Sequence, residues 1–123
     1  NDKKNAAKYL NEFSSLVRKV LELSAKPMVT LEEELEALTL YIDLEGMLLE
    51  HGFTYAINIE AGLDTRGLSI PALLIQPFVE NAFKHGVGMI ENPTIEINLV
   101  DTPAQLIFSV RNKKGKQLII KKK

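Results

Sequence analysis

The sequence predicts an α+β fold, a mainly antiparallel sheet with helices on one face, preceded by an amphipathic helix. Three observations lead there. Two consecutive segments before residue 50 carry apolar residues at spacings of three and four. Past Gly52 the period changes to two. Finally, two alternating segments near the end of the chain are separated by the turn residues Asp101-Thr102-Pro103-Ala104.

From Ala6 to about Ser24, Leu10, Phe13, Val17, Val20 and Leu21 mark one face of a helix, which Pro27 ends. That stripe suits either packing on its own domain or a dimer seam, and it holds too few heptads for a coiled coil. Lys26-Pro27-Met28-Val29 reads as a short extended joint, because proline drives the preceding residue out of the helical region. Thr30 opens a second helix with a capping box to Glu33, and Glu32, Glu33 and Glu34 put negative charge in its first turn. Leu31, Leu35, Leu38, Ile42 and Leu49 form its expected buried stripe, and the helix is expected to reach about Glu50, before His51-Gly52.

Phe53, Tyr55, Ile57 and Ile59 alternate with Thr54, Ala56, Asn58 and Glu60, as in a strand with one face buried. Residues 61–67 read as loop. A third helix is expected from about Pro71 through Leu73, Leu74, Phe78 and Ala82 to Lys84 or His85, with Pro77 imposing a kink or a late start. Thr94 to Val100 and Gln105 to Val110 form a predicted antiparallel hairpin, and the tail around Leu118-Ile119-Ile120 suits a final strand.

Composition narrows the function. The chain has 123 residues, 46% hydrophobic and 25% charged, in the range of one ordinary globular domain. Its net charge of −1 gives no electrostatic reason to expect nucleic-acid or acidic-lipid binding. The absence of cysteine excludes disulfides and thiolate metal sites, and His51 and His85 lack metal-ligand spacing. No apolar run approaches the ~20 residues that span a bilayer, and Asn-Asp-Lys-Lys is no signal peptide. A start at Asn1 leaves room for membrane spans upstream in a larger parent.

The stretch from Ile70 to Gly86 is the most informative. On a helix, Pro77, Asn81 and His85 recur every four residues and share a stripe with Lys84, while Phe78 and Ala82 lie on the adjacent apolar stripe. An amide oxygen suits a hard divalent ion, and an ammonium beside it neutralises phosphate oxygens. Periodicity alone is equally met by a solvated face with an ordinary Glu80–Lys84 ion pair, and His85 beside Gly86 by a helix C-terminal residue that favours the dipole.

The run Ile70-Pro71, Gln76-Pro77-Phe78-Val79-Glu80-Asn81-Ala82 and Lys84-His85-Gly86 resembles the N box of LytS-type (YehU-type) histidine kinases, whose ATPase domain belongs to the GHKL superfamily. Tyr9-Leu10 with residues 13–18, Val29 to Leu35, Tyr41-Ile42 and Glu45 resemble the segments that precede that box, so the likeness covers roughly Tyr9 to Val110.

The resemblance implies a GHKL-like two-layer α/β sandwich, incomplete here, that binds ATP with Mg²⁺, phosphorylates a histidine of the same homodimer and passes the phosphoryl group to a response regulator. It implies Asn81 as the Mg²⁺ ligand, Lys84 as a phosphate contact, and Glu80 and His85 as candidate catalytic residues lining the same site. Residues 1–28 then correspond to the end of the dimerisation and phosphoacceptor region with its joint, and 29–123 to the N-terminal part of the ATP-binding domain. The dimer forms through the helical region, and the chain is expected in the cytoplasmic part of an inner-membrane protein, tied to the membrane only through parent segments outside it.

Two departures limit this expectation. No His-Phe-containing phosphoacceptor motif precedes Ala6, and the Asp-Asn-Gly-X-Gly-like segment expected after Val110 is met by Arg111-Asn112-Lys113-Lys114-Gly115, where Asn112 is the candidate nucleotide contact and no aspartate is present. With one glycine there, a phosphate-cradling loop is lacking, so weak nucleotide binding and no kinase activity are expected of this chain alone. The rival reading is a non-catalytic kinase-like scaffold or signalling module, which the same Arg111–Lys114 segment keeps open.

Overall fold

The computed structural model describes residues 2–48, 54–86, 94–111 and 115–121. They form an α+β arrangement in the order α1 (Asp2–Ser24), β1 (Met28–Thr30), α2 (Leu31–Met47), β2 (Thr54–Ile59), β3 (Ser69–Pro71), α3 (Ile75–Gly86), β4 (Thr94–Asp101), β5 (Gln105–Arg111) and β6 (Gly115–Lys121). The chain divides into two compact units, Asn1–Glu50 with Thr65–Gln76, and His51–Asp64 with Pro77–Lys123.

In the first unit α1 packs against α2. Leu16 and Leu23 are the buried residues of α1, and Lys19 reaches Glu36 at 2.8 Å. The stripe read from periodicity is not packed within this unit: Leu10, Phe13, Val17 and Leu21 are 62, 45, 41 and 64% exposed and Val20 is half-buried, which corrects its expected packing on its own domain. Leu16 and Leu23 lie at one edge of the apolar arc of α1, and that edge is the one buried as α1 packs on α2.

The extended joint at Pro27 continues into β1, which pairs antiparallel with β3 so that buried Val29 faces buried Ile70. Residues 69–71 are thus strand, and the expected helical start at Pro71 is corrected. Ladder pairing competes with helix there, and the strand wins.

Every unpaired amide at the start of α2 finds an acceptor, which is what allows a helix end to be held inside a fold. Thr30 N–H donates to Glu33 Oε1 at 3.1 Å and Glu33 N–H to Thr30 Oγ1 at 3.1 Å, the expected capping box. The next two amides, of Leu31 and Glu32, donate to the carbonyls of Leu68 (2.8 Å) and Thr65 (2.9 Å). Leu31, Leu38 and Ile42 are fully buried below. The helix closes at Met47 with Leu48 as its C-terminal cap, three residues short of the expected Glu50.

The second unit is a four-stranded sheet in the order β2-β4-β5-β6. The predicted hairpin is present: β4 and β5 pair antiparallel with Leu99 opposite Phe108, and Thr102 ties the turn by donating its N–H to the Gln105 carbonyl at 2.8 Å while its Oγ1 accepts the Gln105 N–H at 3.0 Å. The tail strand pairs with β5 in the same sense. β2 runs parallel to β4, because these strands are joined by a crossover and not by a hairpin. Ile95, Ile97 and Leu99 of β4 and Leu106, Phe108 and Val110 of β5 form one buried face. Tyr55 and Ile57 of β2 are half-buried and Ile59 is exposed, as suits an edge strand; Phe53 lies outside the described residues.

Candidate functional site

The site is built on α3, and its start is decided by backbone chemistry. Pro77 has no N–H and its ring excludes a carbonyl four residues earlier, so a helix through Leu73 is closed to it. Starting at Ile75 places Pro77 third in the helix, within the first turn, where an amide has no intrahelical partner to lose. The late start read from Pro77 is what the structure adopts; Leu73 and Leu74, expected inside the helix, lie in the turn before it.

Leu74, directly before the helix, brings no capping oxygen. The acceptor comes from α2. Glu34, only 1% exposed, takes the Leu73 N–H on Oε1 and the Ile75 N–H on Oε2, both at 2.9 Å. An anion at a helix N-terminus also lies favourably in the helix dipole. Leu73 itself has φ 57°, a left-handed conformation that a side chain with a Cβ enters at a cost of about 1–2 kcal/mol.

Along α3, Ile75 and Val79 are fully buried, and Phe78 is half-buried with its ring edge-on to Phe108 at 5.9 Å. Pro77 and Asn81 are exposed, and Glu80 is half-buried. Of the two sides read from the sequence, exposed Asn81 and half-buried Phe78 are described, and Ile75 with Val79 forms the buried contact; Ala82 is outside the described side chains. Lys84 and His85 lie on the last turn of the same helix, their side chains outside the described residues; Asn112 lies outside them altogether. Gln76 turns a buried amide oxygen inward without a hydrogen-bond partner among the described residues.

Among the described residues no group of three or more His, Asp or Glu is placed to hold a metal ion. One exposed amide on α3 would supply a single protein oxygen to a hard divalent ion, which would take its other ligands from phosphate and water. No helix among these residues is long and apolar enough to cross a membrane.

Sequence reading treated Glu34 as one of three first-turn acids. The signal that marks it out is its place on the apolar stripe, three residues after Leu31 and four before Leu38, where a carboxylate must find donors or stay out of the core.

The chain is similar to known proteins over much of its length. The histidine kinase family model matches residues 1–53. The sensor protein LytS of Oceanobacillus iheyensis is 26% identical over 110 residues, 87% of this chain and 18% of that protein. The sensor histidine kinase BtsS of Escherichia coli is 32% identical over 89 residues, 72% of this chain and 15% of its own length. The sensor histidine kinase/phosphatase LytS of Staphylococcus aureus is 36% identical over 80 residues, 65% of this chain and 13% of its own. The chain thus spans less than a fifth of the length of each of these relatives. With the family model covering the α1–β1–α2 segment and the relatives reaching across most of the chain, it belongs to the LytS-type sensor histidine kinases.

Proposed function

We propose that this chain is part of a two-component sensor kinase that uses ATP and Mg²⁺ to phosphorylate a histidine and hands the phosphoryl group to a response regulator. The single observation that carries the reading is α3: its residues match the N box, and the helix is set so that Asn81 faces solvent while Ile75 and Val79 anchor the opposite side. In this reading the Asn81 amide oxygen is the protein's ligand to Mg²⁺, Lys84 contacts phosphate, Glu80 and His85 line the same site, and Asn112 is a further nucleotide contact. The ion supplies charge neutralisation as the phosphoryl group leaves, and the helix supplies position, which is most of what such a transfer asks of a protein.

Residues 1–28 then end the dimerisation and phosphoacceptor region, and 29–123 begin a GHKL-like two-layer ATP-binding sandwich. The exposed stripe Leu10, Phe13, Val17 and Leu21, with the Tyr9 and Phe13 rings stacked at 6.3 Å, supports a seam to the second copy in a homodimer. The parent belongs at the inner membrane, anchored by segments outside this chain. The test is Asn81→Ala and Lys84→Ala in the full-length kinase. Both lower ATP-dependent autophosphorylation, and Asn81→Ala moves the melting temperature little, since an exposed substitution costs within about 0.5 kcal/mol. Unchanged activity in both variants refutes the assignment.

A further inference from the structure

A hinge needs at least one residue whose backbone can turn without breaking the bonds that hold its neighbours. The joint between α1 and α2 has hardly any such freedom. Within the first unit, the Lys26 N–H donates to the Leu23 carbonyl at 3.1 Å, and Lys26 Nζ donates to Glu33 Oε2 at 3.0 Å. Pro27 has its φ fixed by its ring, and its carbonyl accepts the Ala72 N–H at 3.3 Å. Met28, Val29 and Thr30 pair with Pro71, Ile70 and Ser69, and the amides of Leu31 and Glu32 end on the carbonyls of Leu68 and Thr65. Ala25 alone lies between the end of α1 and these bonds.

Bending at Ala25 is opposed by the packing of α1 itself. Leu23 is fully buried just before it, and Leu16 is buried farther along the same edge of the helix, which packs on α2. Swinging α1 away would return both side chains to water. It would also part Lys19 from Glu36, 2.8 Å apart and about two helical turns back from the Lys26–Glu33 pair. Ion pairs this exposed add little by themselves, so they mark the register while apolar burial and the β1–β3 ladder hold it.

We propose that α1 and α2 form one stiff arm with no hinge at residues 25–30. A movement of the dimerisation helix is then carried through the joint into α2, the β1–β3 ladder and the segment that ends in Ile75 and Gln76, the first two residues of α3. The inference rests on the reading of residues 1–28 as the end of the dimerisation region, and it sets the mechanical boundary beyond that point in the sequence. The same unit grips the segment from α2 as well: Glu34 takes the Leu73 and Ile75 amides at 2.9 Å, and Glu32 meets Arg66 at 2.9 Å. Input from the helical region thus reaches the first residues of α3 without crossing a flexible link.

The test is a cross-link that freezes the joint. Lys19→Cys with Glu36→Cys, in a full-length kinase with no other cysteine, is joined within one protomer by a short bismaleimide, and ATP-dependent autophosphorylation is measured before and after linking. An arm that is already stiff loses nothing, so kcat/KM is expected to stay within about twofold of the unlinked variant. A joint that hinges during the cycle changes kcat and KM together when it is locked, and any larger loss overturns the proposal. Hydrogen exchange on the unmodified kinase needs no variant: peptides that carry the Leu31, Ala72 and Ile75 amides are expected to be equally protected without nucleotide and with a non-hydrolysable ATP analogue and Mg²⁺. Protection lost in either state overturns the proposal. Should the double-cysteine variant not fold, exchange decides by that criterion. A full-length protein without ATP-dependent autophosphorylation sinks the kinase reading instead, and exchange without nucleotide then decides the stiffness of the joint.

Discussion

Replacing Glu34 by Ala removes one acceptor group from two amides, those of Leu73 and Ile75, and the loss can be worked out against its two neighbours on the same helical turn. A buried donor left without a partner costs about 1–3 kcal/mol, so the buried Ile75 amide and the part-buried Leu73 amide together cost at most on the order of 2–6 kcal/mol. Relaxation of Leu73 out of its left-handed conformation returns about 1–2 kcal/mol, which leaves a net loss near ~3 kcal/mol. Glu32 provides the contrast: it meets Arg66 at 2.9 Å, with side chains 40 and 85% exposed, and Glu32→Ala is expected to cost no more than about 0.5 kcal/mol. Thr30→Ala, which removes the cap that Glu33 shares, falls between them at about 1 kcal/mol. The assay is urea unfolding followed by circular dichroism at the helix band, to which α1 and α2 contribute most, with the slope compared to confirm that the midpoint alone has moved. In a domain of 60–100 residues the Glu34 loss corresponds to a fall of roughly 12–24 °C in melting temperature. A Glu34→Ala variant within ~0.5 kcal/mol of the parent protein would refute the reasoning. So would a Glu32→Ala variant that costs as much.

Three further outcomes are expected. The Thr30 backbone N–H first, and then the Lys26 ammonium at 3.0 Å, hold the Glu33 carboxyl down to about 2 from 4.5. A depressed folded-state value means stability that is complete above pH 4.5 and lost as pH falls from there through about 2, so Glu33→Gln flattens that limb of the stability curve; identical acid limbs in the two proteins count against it. Phe108→Ala empties a fully buried position and ends the contact with Phe78, costing about 3–5 kcal/mol in thermal unfolding, and a loss under ~1 kcal/mol contradicts the packing. Leu10→Glu with Phe13→Glu puts charge on the exposed α1 stripe, which lowers dimer mass in sedimentation of the parent kinase while the helix content of each protomer stays the same; unaltered dimerisation places the seam elsewhere.

The sequence by itself determined what is encoded within a few residues. Thr30 and Glu33 name the start of α2 because a capping box is closed by one turn of backbone, and Asp101 to Ala104 name the β4–β5 turn because its hydrogen bonds run from Thr102 to Gln105. Asn81 and Glu80 could be assigned to one helix, and Asn81 to its exposed side, because residues four apart share a stripe. Only the tertiary structure decided the rest. Val29 pairs with Ile70, Tyr55 runs parallel to Ile95, and Glu34 meets Leu73 and Ile75, all across some forty residues of chain that leave no local period to read. The face of α1 was undetermined for a related reason. Periodicity finds the widest apolar stripe, Leu10 through Leu21, but burial goes to whichever stripe a partner fits, and within this chain α2 takes Leu16 and Leu23. The start of α3 combined both kinds of information: Pro77 supplied a local prohibition, while β3 pairing and a carboxylate from α2 supplied the choice, because a backbone amide goes to the acceptor that folding brings to it.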